Sequence, residues 1–187
     1  GAIDLDGLGA LTLSDVDTAD GTITVDAAGA LTVTDVASGT NGNISLTTSS
    51  GDITGLATVN AGSGAVTLNA AGAIVDDSDA STVVTGGVLT ADAAGAITID
   101  STVASADIST SAAGAIALDE TDGITLTAQD EIGVLGSGTD TDLEFAASSS
   151  VNVSTTGTGA IDLDGLGALT LSDVDTANGA ITVTSAG

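Results

Sequence analysis

Residues 1–33 read GAIDLDGLGALTLSDVDTADGTITVDAAGALTV, and one five-residue phrase occurs in them four times. The phrase is a glycine, a small or polar residue, an aliphatic residue, any residue, and a second aliphatic residue. It reads GAIDL at 1–5, GALTL at 9–13, GTITV at 21–25 and GALTV at 29–33. Aliphatic residues alternate with small or polar ones, which is the pattern of a strand with one buried face. The stretch therefore predicts short strands, each preceded by a glycine at a corner.

The phrase recurs along the chain at a regular spacing. Further copies are GNISL at 42–46, GAVTL at 64–68, GAITI at 95–99, GAIAL at 114–118, GAIDL at 159–163, GALTL at 167–171 and GAITV at 179–183, with degenerate copies at Gly51, Gly72, Gly87 and Gly123. Short and long steps alternate, and a third short run follows each pair, at 15–18, 35–38 and 57–60. Three short strands per coil of roughly 20–23 residues predict an all-β fold, a parallel β-solenoid.

In such a stack, equivalent residues of successive coils lie above one another. We expect two inward ladders on one face and the start of two more on the next. They are Ile3, Ile23, Ile44 and Val66; Leu5, Val25, Leu46 and Leu68; and, on the next face, Leu11 with Leu31 and Leu13 with Val33. An interior this narrow has room for branched aliphatic side chains, which agrees with Phe145 being the only aromatic residue.

A much longer repeat overlies the coils. Residues 1–25 return at 159–183 with two differences, Asp20 against Asn178 and Thr22 against Ala180. We expect residues 1–158 to be one unit of about seven coils and 159–187 to open the next, in one continuous solenoid. The register of 130–158 is irregular. The chain has no Met and neither 1–10 nor 178–187 resembles a cap, so we expect a piece of a longer array whose units continue or stack head to tail.

Two other structural classes fit the sequence poorly. Immunoglobulin-like sandwiches have longer strands and thicker cores with Trp, Tyr or Pro, none of which occurs here. Disorder agrees with the high net charge. However, 42% of the residues are hydrophobic and their placement is periodic, which favours a folded chain.

The Gly-small-aliphatic-x-aliphatic phrases, of which GAIDL at 1–5 and GALTL at 9–13 are examples, resemble the repeats of filamentous-haemagglutinin-like exoproteins and of giant bacterial surface proteins with β-strand repeats. The resemblance covers essentially the whole chain. It implies a right-handed parallel β-helix, export to the bacterial cell surface, and a role in adhesion, biofilm or sheath formation. The secretion domain and binding tips of that family have no counterpart in this sequence.

Charge and composition narrow the functional classes. The chain has 26 acidic residues, no Lys, Arg or His, and a formal charge of −26, so nucleic acid and anionic membranes are repelled. No apolar stretch has the length of a membrane helix. Without His, a Ser-His-Asp arrangement is impossible, and paired carboxylates lack partners for polysaccharide cleavage, so we expect no catalysis and no required cofactor.

The acidic residues suggest a response to divalent cations. Residues 1–158 carry 22 of them, which gives about 0.65 charges per Å if seven coils rise about 34 Å, close to the charge density of duplex DNA. Ca²⁺ is the ion that carboxylate-rich turns hold. The candidate ligands are Asp15, Asp17 and Asp35; Asp76, Asp77 and Asp79; Asp119, Glu120 and Asp122; Asp130 and Glu131; and Asp140, Asp142 and Glu144. Against such sites stands the simpler interpretation that these residues keep the turns solvated.

These observations predict a structural segment of a repetitive extracellular fibre or filament shaft of a bacterial surface, sheath or biofilm matrix. Its expected partners are identical units, head to tail or side by side, and divalent cations. One alternative is the stalk of a bacterial adhesin whose binding domain lies elsewhere. A lesser alternative is an ice-binding solenoid, since Thr12 can align with Thr32 and Thr24 with Thr67, although Asp4 and Ser45 interrupt the second row.

Overall fold

The computed structural model describes residues 1–77, 84–112, 116–119, 123–128, 143–145, 150–155, 161–165 and 170–185. Within these ranges the chain forms parallel β-strands and no helix. The strands are β1 (Ile3–Gly7), β2 (Leu11–Leu13), β3 (Val16–Asp17), β4 (Ile23–Ala27), β5 (Leu31–Val33), β6 (Asp35–Ala37), β7 (Ile44–Thr48), β8 (Ile53–Leu56), β9 (Thr58–Asn60), β10 (Ala65–Ala70), β11 (Ile74–Asp76), β12 (Val84–Ala93), β13 (Ile97–Thr110), β14 (Ile116–Asp119), β15 (Gly123–Ala128), β16 (Leu143–Phe145), β17 (Ser150–Thr155), β18 (Ile161–Gly165), β19 (Thr170–Thr176) and β20 (Ile181–Ser185).

The first sheet of the solenoid stacks the first strand of each coil on the next. Its central ladder runs from Ile3 through Ile23, Ile44 and Val66 to Leu89. Each interval in this ladder is one position longer than the interval before it, and all four equal the coil lengths read from the glycine spacing. The parallel β-solenoid is therefore confirmed, and so are the two ladders expected on this sheet.

Two further sheets complete each early coil. The second sheet carries the ladder Leu11, Leu31, Ile53, Ile74, Ile97 and Ile116. The third sheet carries Val16, Val36, Val59 and Val84. The short runs predicted at 15–18, 35–38 and 57–60 thus form β3, β6 and β9, and each early coil has three strands, as expected.

Aliphatic side chains fill the space between the sheets. The ladder residues from the second coil onward are almost completely buried, and the largest fully buried side chains are Ile23, Leu31, Ile44, Leu46, Ile53, Leu56, Leu68, Ile74, Leu89, Ile97 and Ile99. Each coil is too short to enclose a core alone, so its side chains are covered by the coils above and below. This stacking makes neighbouring coils depend on one another for stability.

Three of the phrase glycines are required by the contact between coils. A Cβ on Gly21 would lie 2.0 Å from the carbonyl oxygen of Gly1, one on Gly42 would lie 2.2 Å from that of Gly21, and one on Gly64 would lie 2.4 Å from that of Gly42. None of the three has a positive φ. The corner position was predicted, but the reason is the approach of the neighbouring backbone and not a left-handed turn.

The coils shorten after Leu89. The first-sheet ladder continues from Leu89 to Ala106 and then to Ile124, and both intervals are shorter than any in the early coils. In the early coils a loop separates the third strand from the next first strand, whereas β12 and β13 pass from one sheet to the next as continuous strands. Loss of that loop shortens these two coils. The intervals from Val151 to Leu171 and from Ile161 to Ile181 again have the coil length expected from the sequence.

The second copy of the repeat lies on different sheets from the first. The ladder that starts at Ile3 continues from Ile124 through Val151 to Leu171. Leu171 is the copy of Leu13, which in the first unit belongs to the second sheet. Ile161, the copy of Ile3, pairs instead with Ile181, and their strands join β16, which contacts the second-sheet strand β14.

Candidate cation-binding surface

Acidic side chains of the first coils lie on the outside of the first sheet. Asp4, Asp6 and Asp26 alternate with the ladder residues along β1 and β4 and are exposed. Asp6 and Asp26 are register partners on neighbouring strands. Carboxylates placed directly opposite each other at the spacing of adjacent strands repel and destabilise the pairing. The carboxylates on the outer surface therefore repel one another, and bound protons or cations would reduce this repulsion.

Asp15, Asp17 and Asp35 form an acidic corner beside the third sheet, as the sequence suggested. Asp15 and Asp35 directly precede Val16 and Val36, which are register partners. The pKa of Asp17 is raised above its usual value, first by partial desolvation, then by a side-chain hydrogen bond with Asp15, and then by the negative charges of Asp15 and Asp35. A hydrogen bond from the backbone of Ala37 opposes the shift.

The acidic corner can take up a proton or attract a cation, because it concentrates negative charge at an accessible edge. Asp15 and Asp17 are exposed and Asp35 is half-buried. Ca²⁺ in a dedicated site takes six to eight oxygen ligands. No group of three or more acidic, His or Cys residues in the described ranges has an arrangement that would hold a metal ion.

The run that begins at Asp76 is divided by the fold. Asp76 ends β11, is 7% exposed, and pairs with Leu56 where the register shifts. Asp77 is exposed, and its backbone N–H donates a hydrogen bond of 3.1 Å to the carbonyl oxygen of Leu56. The two adjacent carboxylates thus occupy different environments. Asp79 lies outside the described residues.

The remaining candidates fall in the later part of the chain. Asp119 ends β14 and is the register partner of Asp100, and Glu144 is the middle residue of β16. The side chains of Asp119 and Glu144 are not described. Glu120, Asp122, Asp130, Glu131, Asp140 and Asp142 lie outside the described residues.

Some polar side chains join neighbouring coils, a role that the sequence did not reveal. The Oδ1 atom of Asp20 accepts a hydrogen bond of 3.1 Å from the backbone N–H of Asn41. The Oδ1 atom of Asp52 accepts one of 2.8 Å from the N–H of Ala73. One feature of the sequence could have indicated this role. The second copy of the repeat has Asn178 at the position of Asp20, and an Asn side chain keeps an oxygen that accepts a hydrogen bond. Part of the acidic content therefore supports the stack directly.

The middle of the first sheet carries an outer row of hydroxyl groups. Thr24, Ser45, Thr67 and Thr90 are successive register partners and are all half-buried. Asp4 precedes the row and Asp107 follows it. Ser45 does interrupt the threonines, as expected, but it continues the hydroxyls. On the second sheet, Thr12, Thr32 and Thr54 form a shorter row.

An open groove of about 350 Å³ lies where β10, β12 and β13 end. Its polar lining includes Asn69, Asp92 and Ser109, and the Ser109 hydroxyl donates a hydrogen bond to the Asp92 carboxylate. The Asp92 carboxylate is thus hydrogen-bonded to a residue of the next coil. The other lining residues with side chains are mainly alanines, which offer a ligand no polar group.

In the part of the chain that the structure describes, no helix is long and apolar enough to cross a membrane. Comparisons of the chain with protein-family profiles, with curated proteins and with solved structures find no match.

Proposed function

We propose that the chain is a non-catalytic structural segment of a repetitive extracellular fibre or filament shaft, on a bacterial surface or in a sheath or biofilm matrix. One observation carries the proposal: the stretch 1–25 returns almost unchanged at 159–183 in a chain built of stacked parallel coils. A solenoid lengthens by adding coils, and each coil contacts only its neighbours. Repetition of one unit therefore produces a longer rod with the same cross-section.

Composition supports a passive role in an exposed setting. The sequence has no Cys or Met to oxidise and no Lys or Arg for trypsin-like proteases to recognise. It also lacks His, Tyr and Trp, which bind sugars or transfer protons in many enzymes. The buried aliphatic ladders give the rod its cohesion, and the acidic outside keeps it soluble.

The proposed partners are identical units and divalent cations. A rod that carries 26 acidic residues and no Lys, Arg or His repels its neighbours at low ionic strength. Ca²⁺ would allow side-by-side contact by bridging carboxylates of two rods, with loose coordination at places such as the acidic corner. Light scattering during Ca²⁺ titration, followed by a chelator, tests this; scattering that is no greater than with equal ionic strength of NaCl would contradict bridging.

Antibodies against the purified chain test the main proposal on cells. The expected result is continuous labelling of extracellular filaments in immuno-electron microscopy, with an axial spacing of about 4.8 Å in diffraction from those filaments. Labelling confined to the cell interior would overturn it. Single tethered strands that end in a separate head would favour the adhesin stalk instead.

The hydroxyl row Thr24–Ser45–Thr67–Thr90 favours one further candidate, an ice-binding face. Its spacing along the solenoid is regular because each hydroxyl lies one strand above the last. Thermal hysteresis of the purified chain decides this alternative. If ice grows at the ordinary freezing point in a concentrated solution of the protein, the chain does not bind ice.

A further inference from the structure

The two copies of the repeat differ by half a coil in their position around the solenoid. Val151 and Leu171 are register partners on the first sheet and are separated by one coil. Ile161 lies midway between them in the sequence and pairs with Ile181 on the second sheet. Since Ile3 is a first-sheet residue, the same side chain has moved from one sheet to another between the two copies.

The same residues also form different strands in the two places. The sequence TLSDVDT occupies 12–18 and 170–176. In the first copy it is divided between β2 and β3, which pair on separate sheets. In the second copy it is one strand, β19, with a register irregularity opposite Val151 and Asn152. The segment therefore fits either a corner or a bulged strand.

We propose that the shaft is two-sided, with successive copies of the repeat unit presenting the same outer rows on alternate sheets of the solenoid. This inference rests on the proposed function, since it requires an array of such units. A shift of half a coil per unit restores the original sheet after two units. The structural period of the array is then double its sequence period.

Alternation has two physical consequences for a shaft. Unequal sheets bend a solenoid by a small amount per coil, and that bend accumulates when every unit has the same orientation. A unit turned by half a coil bends the opposite way, so the array stays straight. Acidic rows such as the one containing Asp4 and Asp6 appear on both sides, so a rod meets lateral neighbours on two sides and not on one.

Spin labels on the full chain test the half-coil shift, because the sequence contains no Cys of its own. Thr125 and Asn152 are register partners on the first sheet, whereas Glu144 lies on β16. We expect strong dipolar broadening in doubly labelled T125C/N152C, since neighbouring strands are about 4.8 Å apart. We expect none in T125C/E144C. The pair T24C/S45C, partners in the early coils, is the positive control.

Broadening in T125C/E144C in place of T125C/N152C would overturn the inference, because Leu143–Phe145 would then follow β15 on the first sheet and both copies would share one face. Absence of broadening in both pairs would overturn it as well. Dilution with unlabelled chain removes signals between molecules. If circular dichroism shows that T125C/N152C is unfolded, T127C/S154C replaces it, since these residues are also register partners. T127C/E144C replaces T125C/E144C in the same way.

The outcome is independent of the cell-surface test. If the antibodies label no filaments, the proposed role in a fibre is wrong, but the half-coil shift within the chain can still be correct. If the antibodies label filaments but broadening occurs in T125C/E144C, the chain belongs to a shaft whose units all present the same face.

Discussion

Leu13 and Leu171 occupy the same position in two copies of one sequence, yet Leu13 pairs with Val33 on the second sheet and Leu171 pairs with Val151 on the first. Their immediate neighbours are identical, so local sequence does not choose the sheet. The sheet that a residue joins depends on how many residues the preceding coils contain. In this solenoid, loop length upstream decides which face a given residue occupies.

The inward ladder of the first sheet should dominate stability. Leu46 is completely buried, so Leu46→Ala removes its packing and leaves a cavity between coils, which typically costs about 2–5 kcal/mol. Leu8→Ala is the control, because Leu8 is 100% exposed. Urea unfolding followed by circular dichroism measures both. Equal midpoints for the two variants would contradict the ladder.

The coil contact at Gly42 should tolerate no side chain. In Gly42→Ala the new Cβ would lie 2.2 Å from the carbonyl oxygen of Gly21, so the coils must separate locally, at a cost of about 1–3 kcal/mol. Gly9 begins a phrase too, but a Cβ there meets nothing within 4 Å. Gly9→Ala should leave the thermal midpoint almost unchanged. A midpoint shift as large as that of Gly42→Ala would show that glycine flexibility, and not the coil contact, matters.

Buried hydroxyl groups at the coil corners should also contribute. The Oγ1 atom of Thr48 donates a hydrogen bond of 2.9 Å to the carbonyl of Gly51 and accepts one of 3.1 Å from the N–H of Ala71. Thr48→Val leaves these backbone groups without that partner and should cost about 1–3 kcal/mol. Hydrogen exchange at Ala71 should accelerate. Thr47→Val, on the outer face of the same strand, is the matched control, and a similar acceleration there would exclude this role.

The acidic corner should make stability fall as pH rises. The pKa of Asp17 is raised in the folded chain, so between the ordinary value of 3.8 and the raised value the folded state binds more protons than the unfolded state. Stability is therefore lost as pH rises through that window. Asp15→Asn removes one negative charge beside Asp17 while its amide can still form a hydrogen bond, so the pKa of Asp17 should fall and this part of the pH dependence should flatten.

Carboxyl carbon NMR of Asp17, with unfolding measured across the same pH range, checks that prediction. Asp107→Asn removes one charge from an exposed site on β13 and is the control for net charge. If Asp107→Asn lowered the pKa of Asp17 as much as Asp15→Asn, the shift would reflect the total charge of the chain and not the corner.

Much of the early fold could be predicted because two regular signals agree. Alternation of aliphatic residues identifies the inward faces, and glycine spacing gives the coil lengths, so Ile23 and Ile44 could be placed above Ile3. The turn chemistry is local too. Thr18 bonds Gly21 and Thr176 bonds Gly179 in the two copies, although the strands around them differ.

What could not be predicted depends on neighbouring coils. Asp20 contacts Asn41 in the next coil, and only the register shows which backbone N–H meets a given carboxylate. The change of sheet between the copies has the same origin. Nothing in the sequence of β13 marks Ile97–Thr110 as one continuous strand that omits the corner loop. Among the site residues, the acidic corner was predicted because Asp15 and Asp35 are separated by the length of one coil.

The unequal coil lengths also determine how such a rod would yield under tension. Each coil is held by hydrogen bonds to its neighbours, so pulling the ends apart would peel coils away one at a time. The first coil to be released would add about 70 Å of extended chain. Each of the next three would add slightly more, since the early coils lengthen along the chain. A shaft of this construction would extend in many small steps under a sudden force, and the covalent chain would stay continuous while the coils are released.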